Sequence, residues 1–234
     1  MRAVPLESAI ANPVMGCVSE VMVKETYIRF MAPVIPGSIN VLMKIIDEKI
    51  HQGYERLHLM LSSPGGSVFH GLSVYNYLKG APIEVHTYNF GSVDSIGVVI
   101  YCAGSKRHCV PHARFLIHGV RMNFNGKASL DEFQLHEHLK SVKIDQKNIA
   151  RVIADTSGKG SDAVEKDMHD RRTLNPQEAR DYGLVHDIKS ELFPAGAEFL
   201  SISDPGEQPK PTNQIRHVPE ESNFTRPIQM DVVT

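Results

Sequence analysis

The sequence predicts an α/β layered domain of repeated strand–helix units, with a protruding long helix and a disordered C-terminal tail. Three observations predict it. Short apolar runs alternate with segments whose apolar residues recur at helical spacing. Turns rich in glycine, serine and proline separate them. After about Leu200 the periodicity stops and prolines gather, with Pro205, Pro209, Pro211, Pro219 and Pro227 in the final stretch. Strands that alternate with helices in this way belong to sheets built with right-handed crossovers.

Taken in order, residues 1 to about 22 show no clear periodicity, so the domain is expected over 23–200, followed by a tail over 201–234. Tyr27 to Val34 reads as a strand. Ser38 then offers a helix cap, and Val41, Leu42, Ile45, Ile46 and Ile50 repeat at helical spacing until Gly53 stops them. Arg56 to Leu61 is a short apolar strand. It runs into the turn Ser62-Ser63-Pro64-Gly65-Gly66, and a second helix follows from Val68 to Leu78. Next come a strand from Ile83 to Tyr88, a turn at Gly91, a small-residue helix from Ser95 to Ala103, and strands at Arg107 to Val110 and Arg114 to His118. Ser129 and Glu132 have the spacing of a capping box and open a helix that can run to about Asp155. Asn175 and Pro176 cap a shorter one.

Composition excludes several classes. With 25 Lys and Arg against 27 Asp and Glu, the formal charge is -2, which lacks the basic surplus that neutralises phosphates, so neither nucleic acid nor an anionic membrane is expected as a partner. Glu7, Asn12 and Pro13 interrupt any secretory signal near the start. The most apolar interior run, Val98 to Ala103, is far shorter than the roughly 20 residues that cross a bilayer. Cys17, Cys102 and Cys109 are odd in number and without zinc spacing, which fits a reducing, cytoplasmic setting. His108 and Cys109 fall on opposite faces of a strand, and His136 and His138 face different ways on a helix, so no metal site is expected. Thr156 to Ser161 is glycine-rich but lacks the spacing of a phosphate loop. No cofactor is expected.

Taken one at a time, the residues that could carry chemistry have plain structural readings. Gly65-Gly66 is a turn, Ser95 a helix cap, His118 the end of an apolar strand, and Asp170 part of a solvated charge run. Their joint order is more telling. The segments MLSSPGGSVFHGLSVYNYL, GSVDSIG, YCAGSKRHCVPHARFLIHG and DMHDRRTLNPQEARDYGLVHDI occur in sequence between Leu59 and Ile188. Together they resemble the proteolytic subunit of the Clp protease, the ClpP-like serine peptidases of the ClpP/crotonase fold.

That resemblance implies Ser95 as nucleophile, His118 as general base and then acid, and Asp170 as the group that orients His118. It implies the backbone N–H groups of Gly66 and Ile96 as the oxyanion hole, which agrees with the unpaired N–H expected at a helix start. It also implies a polypeptide substrate, a homo-oligomeric ring, two stacked rings joined by the long helix as a handle, and an ATP-dependent unfoldase as partner. A stripe of Leu135, Leu139, Val142, Gln146, Ile149 and Ile153 runs along that helix, whose length of roughly 39 Å exceeds what one compact domain covers. Asp94 departs from the family, where a small residue precedes the serine, and a carboxylate there can perturb the base or the oxyanion. Gly119-Val120 and Arg121 to Gly126 also depart, at the residues that follow the histidine and in the strand that clamps the peptide. Two other readings stay open: a crotonase-type acyl-CoA enzyme, and a catalytically inactive ClpP-like ring subunit.

Overall fold

The computed structural model describes residues 23–122 and 129–204. Within them the order is β1 Glu25–Met31, α1 Pro36–His51, β2 Arg56–Ser63, α2 Val68–Gly80, β3 Glu84–Asp94, α3 Ile96–Tyr101, β4 Lys106–Cys109 and β5 Arg114–Ile117, then α4 Glu132–Ser157, α5 Ser161–His169, β6 Arg172–Leu174, α6 Pro176–Tyr182, β7 Asp187–Ile188 and β8 Phe199–Ser203. The segments 1–22 and 205–234 lie outside the described residues. Among the described residues no helix is long and apolar enough to cross a membrane.

Eight strands form one sheet, ordered β6-β5-β3-β2-β1-β8, with β4 beside β3 and β7 beside β4. Every pairing is parallel except β5 with β6. The first three strands carry helical crossovers between them, as the alternating pattern required. β3 is longer than its expected span. Its early residues, His86 to Asn89, pair with β4, and its late residues, Ser92 to Asp94, pair with β5. Gly91 lies at this changeover inside the strand rather than in a turn, and a Cβ there would stand 2.9 Å from Ser62 Oγ.

Other local readings are corrected by capping geometry. α1 begins at Pro36, whose fixed φ suits a first helical position, and Ser38 sits buried in the first turn. There its Oγ accepts from the Ile35 N–H at 3.3 Å and donates to the Pro33 carbonyl at 2.6 Å. α4 is capped by Asp131 with Gln134, not by Ser129 with Glu132, through reciprocal bonds of 2.8 and 3.1 Å. The charge run at residues 167–170 ends a helix, α5, which buries Val164 and Met168. β8 crosses the boundary expected at residue 200 and pairs with β1 from Tyr27↔Phe199 to Met31↔Ser203, burying Ile202.

The core lies between the sheet and the helices, and includes Ile28, Phe30, Leu42, Leu57, Leu59, Val74, Val99, Phe115 and Ile153. Tyr101 and the thiols of Cys102 and Cys109 are buried in it, and burial pushes both thiols up to about 11. Arg107, also buried, gives its guanidinium to the carbonyls of Leu184 at 2.7 Å and Gly104 at 3.1 Å, which ties the chain after α6 to β4. The stripe on α4 divides: Ile149 and Ile153 are buried in the core, whereas Leu135 and Leu139 are half exposed.

The opposite face of the sheet is a layer of imidazole and phenol rings. Tyr27 stacks on His58 at 4.4 Å between centroids, and Tyr88 lies 4.9 Å from His108. His58 Nδ1 is 2.9 Å from Tyr88 Oη and its Nε2 3.0 Å from Glu25 Oε2. His108 faces Asp187 at 3.5 Å, too long for a hydrogen bond, and its Nδ1 is buried without a hydrogen-bond partner. Burial pulls His108 down to about 4, with the Lys189 ammonium adding to the effect. Burial also lowers His58, against the opposing pull of Glu25.

A histidine depressed in the folded state binds its proton more readily when unfolded, so its contribution is complete above about pH 6.5 and is lost as the pH falls toward 4. The melting temperature, followed by circular dichroism, is therefore expected to drop between pH 6.5 and 4.5. In His108→Phe this drop should be shallower. An identical profile in that variant would remove His108 as its source.

Candidate active site

The turn after β2 comes close to two other segments at once. Val34 forms a parallel bridge with Gly66: its N–H donates to the Gly65 carbonyl and its carbonyl accepts from the Ser67 N–H, both at 2.8 Å. The Gly66 N–H takes no part in that pair. Gly66 has φ +146 and a Cβ there would stand 2.4 Å from the Val34 oxygen, while a Cβ on Gly65 would stand 2.6 Å from Ser95 Cβ. Only glycine fits at either position.

Ser95 joins the end of β3 to α3. Its N–H donates to the Leu116 carbonyl at 2.8 Å, which ties it to β5, and its backbone has φ 58 and ψ -128. This positive φ is strained for a residue with a Cβ and costs on the order of 1–3 kcal/mol. The result is a sharp strand-to-helix turn that presents the Ser95 side chain beside Gly65. Ile96 follows as the first residue of α3, where an N–H has no partner within the helix.

A cavity of about 240 Å3 opens here, and its lining includes Gly66, Ser95, Ile96 and His118. Four of the five site residues expected from the sequence thus meet around one space. His118 follows β5, and its Nδ1 lies 2.7 Å from the Gly119 carbonyl. A carbonyl can only accept, so in the neutral ring Nδ1 carries the proton and the Nε2 lone pair is free to act as a base.

Asp170 is not brought to His118. It caps the end of α5, where its carboxylate is bound by the Lys166 ammonium and by His169 Nδ1 at 3.1 Å. Those contacts hold its carboxyl below the usual range. The two segments are nonetheless neighbours, because the Gly119 N–H donates to the Met168 carbonyl at 2.9 Å. Asp94, the departure next to the serine, is turned aside: it accepts from Ser92 Oγ at 2.7 Å and from Arg114 Nη2 at 2.9 Å, and it does not line the cavity. Two features of the site had no signal in the sequence. They are the strain at Ser95, which has Gly97 two residues after it but Val93, not glycine, two residues before, and the Gly119 carbonyl that fixes the His118 tautomer. A larger cavity of about 470 Å3, between β1 and residues 194–200, holds none of the expected catalytic residues.

His108 and Cys109 face opposite sides of the sheet, the thiol entering the core and the imidazole the ring layer. Among the described residues no group of three or more His, Cys, Asp or Glu side chains could hold a metal ion.

Comparison with known proteins agrees with this architecture. In solved structures, the fold matches a mutant ClpP1 from Listeria monocytogenes with a TM-score of 0.64 at 22% identity, covering 70% of this chain and 91% of the other. Among curated proteins, the ATP-dependent Clp protease proteolytic subunit 1 of Leifsonia xyli is 34% identical over 145 residues, which are 60% of this chain and 71% of that protein. Subunit 2 of Corynebacterium glutamicum is 31% identical over 134 residues, 56% of this chain and 65% of that one. The Clp protease family profile matches residues 16–191, well over half of the sequence. This chain therefore belongs to the Clp protease family, the ClpP-like serine peptidases.

Proposed function

We propose that this protein is a serine endopeptidase that hydrolyses extended or unfolded polypeptides through an acyl-enzyme. The observation that carries the reading is the shared cavity of Ser95, His118, Gly66 and Ile96. Ser95 Oγ attacks the peptide carbonyl while His118 Nε2 takes its proton. The tetrahedral oxyanion is stabilised by the N–H groups of Gly66 and Ile96. Collapse expels the amine, which receives the proton from His118, and water then repeats the sequence on the ester. Two fixed donors of this kind contribute about 2.7–4 kcal/mol each in known cases.

Asp170 enters as the group that stabilises the imidazolium. Leaving its pair with Lys166 costs little, since both partners are exposed. The acyl-CoA reading is less favoured, because the family match and the serine–histidine pair both point to acyl transfer to water. The inactive-subunit reading rested on Asp94, whose carboxylate is engaged by Ser92 and Arg114.

For assembly we propose a homo-oligomeric ring, with two rings meeting through the first half of α4, where Phe133, Leu135, Leu139 and Ile144 are exposed. The relatives' names include the term ATP-dependent, and this chain lacks a phosphate loop, so an ATP-dependent unfoldase is the partner that would deliver substrate. The buried thiols of Cys102 and Cys109 fit a reducing cytoplasm.

A fluorophosphonate probe is expected to label Ser95 at neutral pH. Labelling should vanish in Ser95→Ala and fall at least a hundredfold in rate in His118→Ala. Wild-type protein that neither reacts nor cleaves short peptides would sink the peptidase reading. Asp94→Ala should leave the pH profile unchanged. Asp170→Asn is expected to lower kcat by about 10^3 to 10^4 if the carboxylate holds the charged ring. A loss below tenfold would assign that task to the Gly119 carbonyl.

Leu139→Glu should break the assembly in native mass spectrometry while leaving the melting temperature of the subunit intact. A wild-type monomer at micromolar concentration would reject the handle. Ile149 is unsuitable for this test, because it is buried in the core and lines the cavity.

A further inference from the structure

We propose that Arg121 determines specificity, drawing a carboxylate of the peptide to the flank of the Ser95 cavity beside an aliphatic side chain seated within it. This inference rests on the peptidase reading and names its substrate class.

The cavity wall is apolar where a substrate side chain would lie, with Pro64, Val68, Ile96, Val120 and Ile149 around it. A wall of aliphatic side chains and one proline favours a side chain of similar kind, because a polar group there would lose its water without gaining a partner. The one permanently charged residue in the lining is Arg121. It is exposed, and it forms no hydrogen bond or ion pair with another described residue.

Two acids in the segments that carry the site residues are already committed. Asp94 is held by Ser92 and Arg114, and Asp170 by Lys166 and His169, and neither lines the cavity. Among the described residues no carboxylate forms an ion pair with Arg121. A guanidinium carries five N–H donors in a planar fork that matches a carboxylate in two-point contact. The ligand this flank lacks is an anion, and on a peptide that anion is an Asp or Glu side chain or the chain end.

The test uses fluorogenic peptides with leucine before the scissile bond and Glu, Gln or Lys at flanking positions, each made with a free and with an amidated C terminus. At low salt kcat/KM should favour Glu over Gln by about fivefold and Gln over Lys by a similar factor, the scale of a partly exposed ion pair. The preference should shrink at 0.5 M salt. Arg121→Gln should flatten the ranking and Arg121→Glu should reverse it. Because each variant is scored by ratios among its own substrates, a general loss of rate does not mimic the effect. A preference that follows the free terminus instead of Glu identifies the chain end as the source of the carboxylate. A wild-type enzyme indifferent to charge in both series, or an unchanged ranking in Arg121→Glu, overturns the proposal.

The same peptides, labelled for fluorescence anisotropy, are also bound to Ser95→Ala with and without Arg121→Glu. Failure of cleavage with the charge ranking kept in binding would overturn the peptidase reading alone. Loss of the ranking with cleavage kept would overturn the role of Arg121 alone.

Discussion

The site depends on the absence of two side chains. Gly65 and Gly66 let the turn after β2 press against the end of β1 at Val34 and against Ser95 at the end of β3, at distances no Cβ would allow. From that approach several consequences follow. The Gly66 N–H is left outside the bridge with Val34, and the Ser95 side chain is held in a strained turn. The first N–H of α3 comes to the same space. Strain of this kind persists only where surrounding contacts over-determine it, and here the bond from Ser95 N–H to the Leu116 carbonyl and the contact with Gly65 supply them.

The fork in β3 gives that arrangement its framework. Because the strand pairs first with β4 and then with β5, its buried end at Val93 and Asp94 lies beside β5, which leads His118 to the same cavity as Ser95. The two faces of the sheet then have different physics. The face toward the helices is apolar and carries the fold's burial. The other is a layer of Tyr27, His58, Tyr88 and His108, in which burial disfavours the charged forms of His58 and His108. Leu192 and Ala197 pack against that layer, in a segment that lies beyond the family match at residue 191 and leads into β8.

α4 runs from the site to an exposed apolar surface. Its second half buries Ile149 and Ile153 in the core and lends Ile149 to the cavity wall, while its first half presents apolar residues to solvent. The exposed pair between Lys166 and Asp170 stands at the end of the adjacent α5. Since such a pair contributes little stability, Asp170 is free to exchange partners at low cost.

By itself the sequence determined the alternation of strands and helices, the helix caps at Asn175 and Pro176, and four residues that line one cavity, Gly66, Ser95, Ile96 and His118. Each of these rests on local spacing or on ordered motifs, and local spacing is written directly in the chain. It did not determine that Gly91 lies within a strand, that the charge run at 167–170 ends a helix, or that the sheet runs on to Ser203. Those outcomes rest on partners distant in sequence: β4 and β5 for the strand that holds Gly91, and β1 for β8. The same holds in the site. Ser95 and His118 were legible as residue types in order, yet the φ of Ser95, the turning aside of Asp94 by Arg114, and the hold of Lys166 on Asp170 were decided only when the tertiary fold chose which polar groups meet. A carboxylate accepts from whichever donor the packing brings nearest, and no spacing along the chain records that choice.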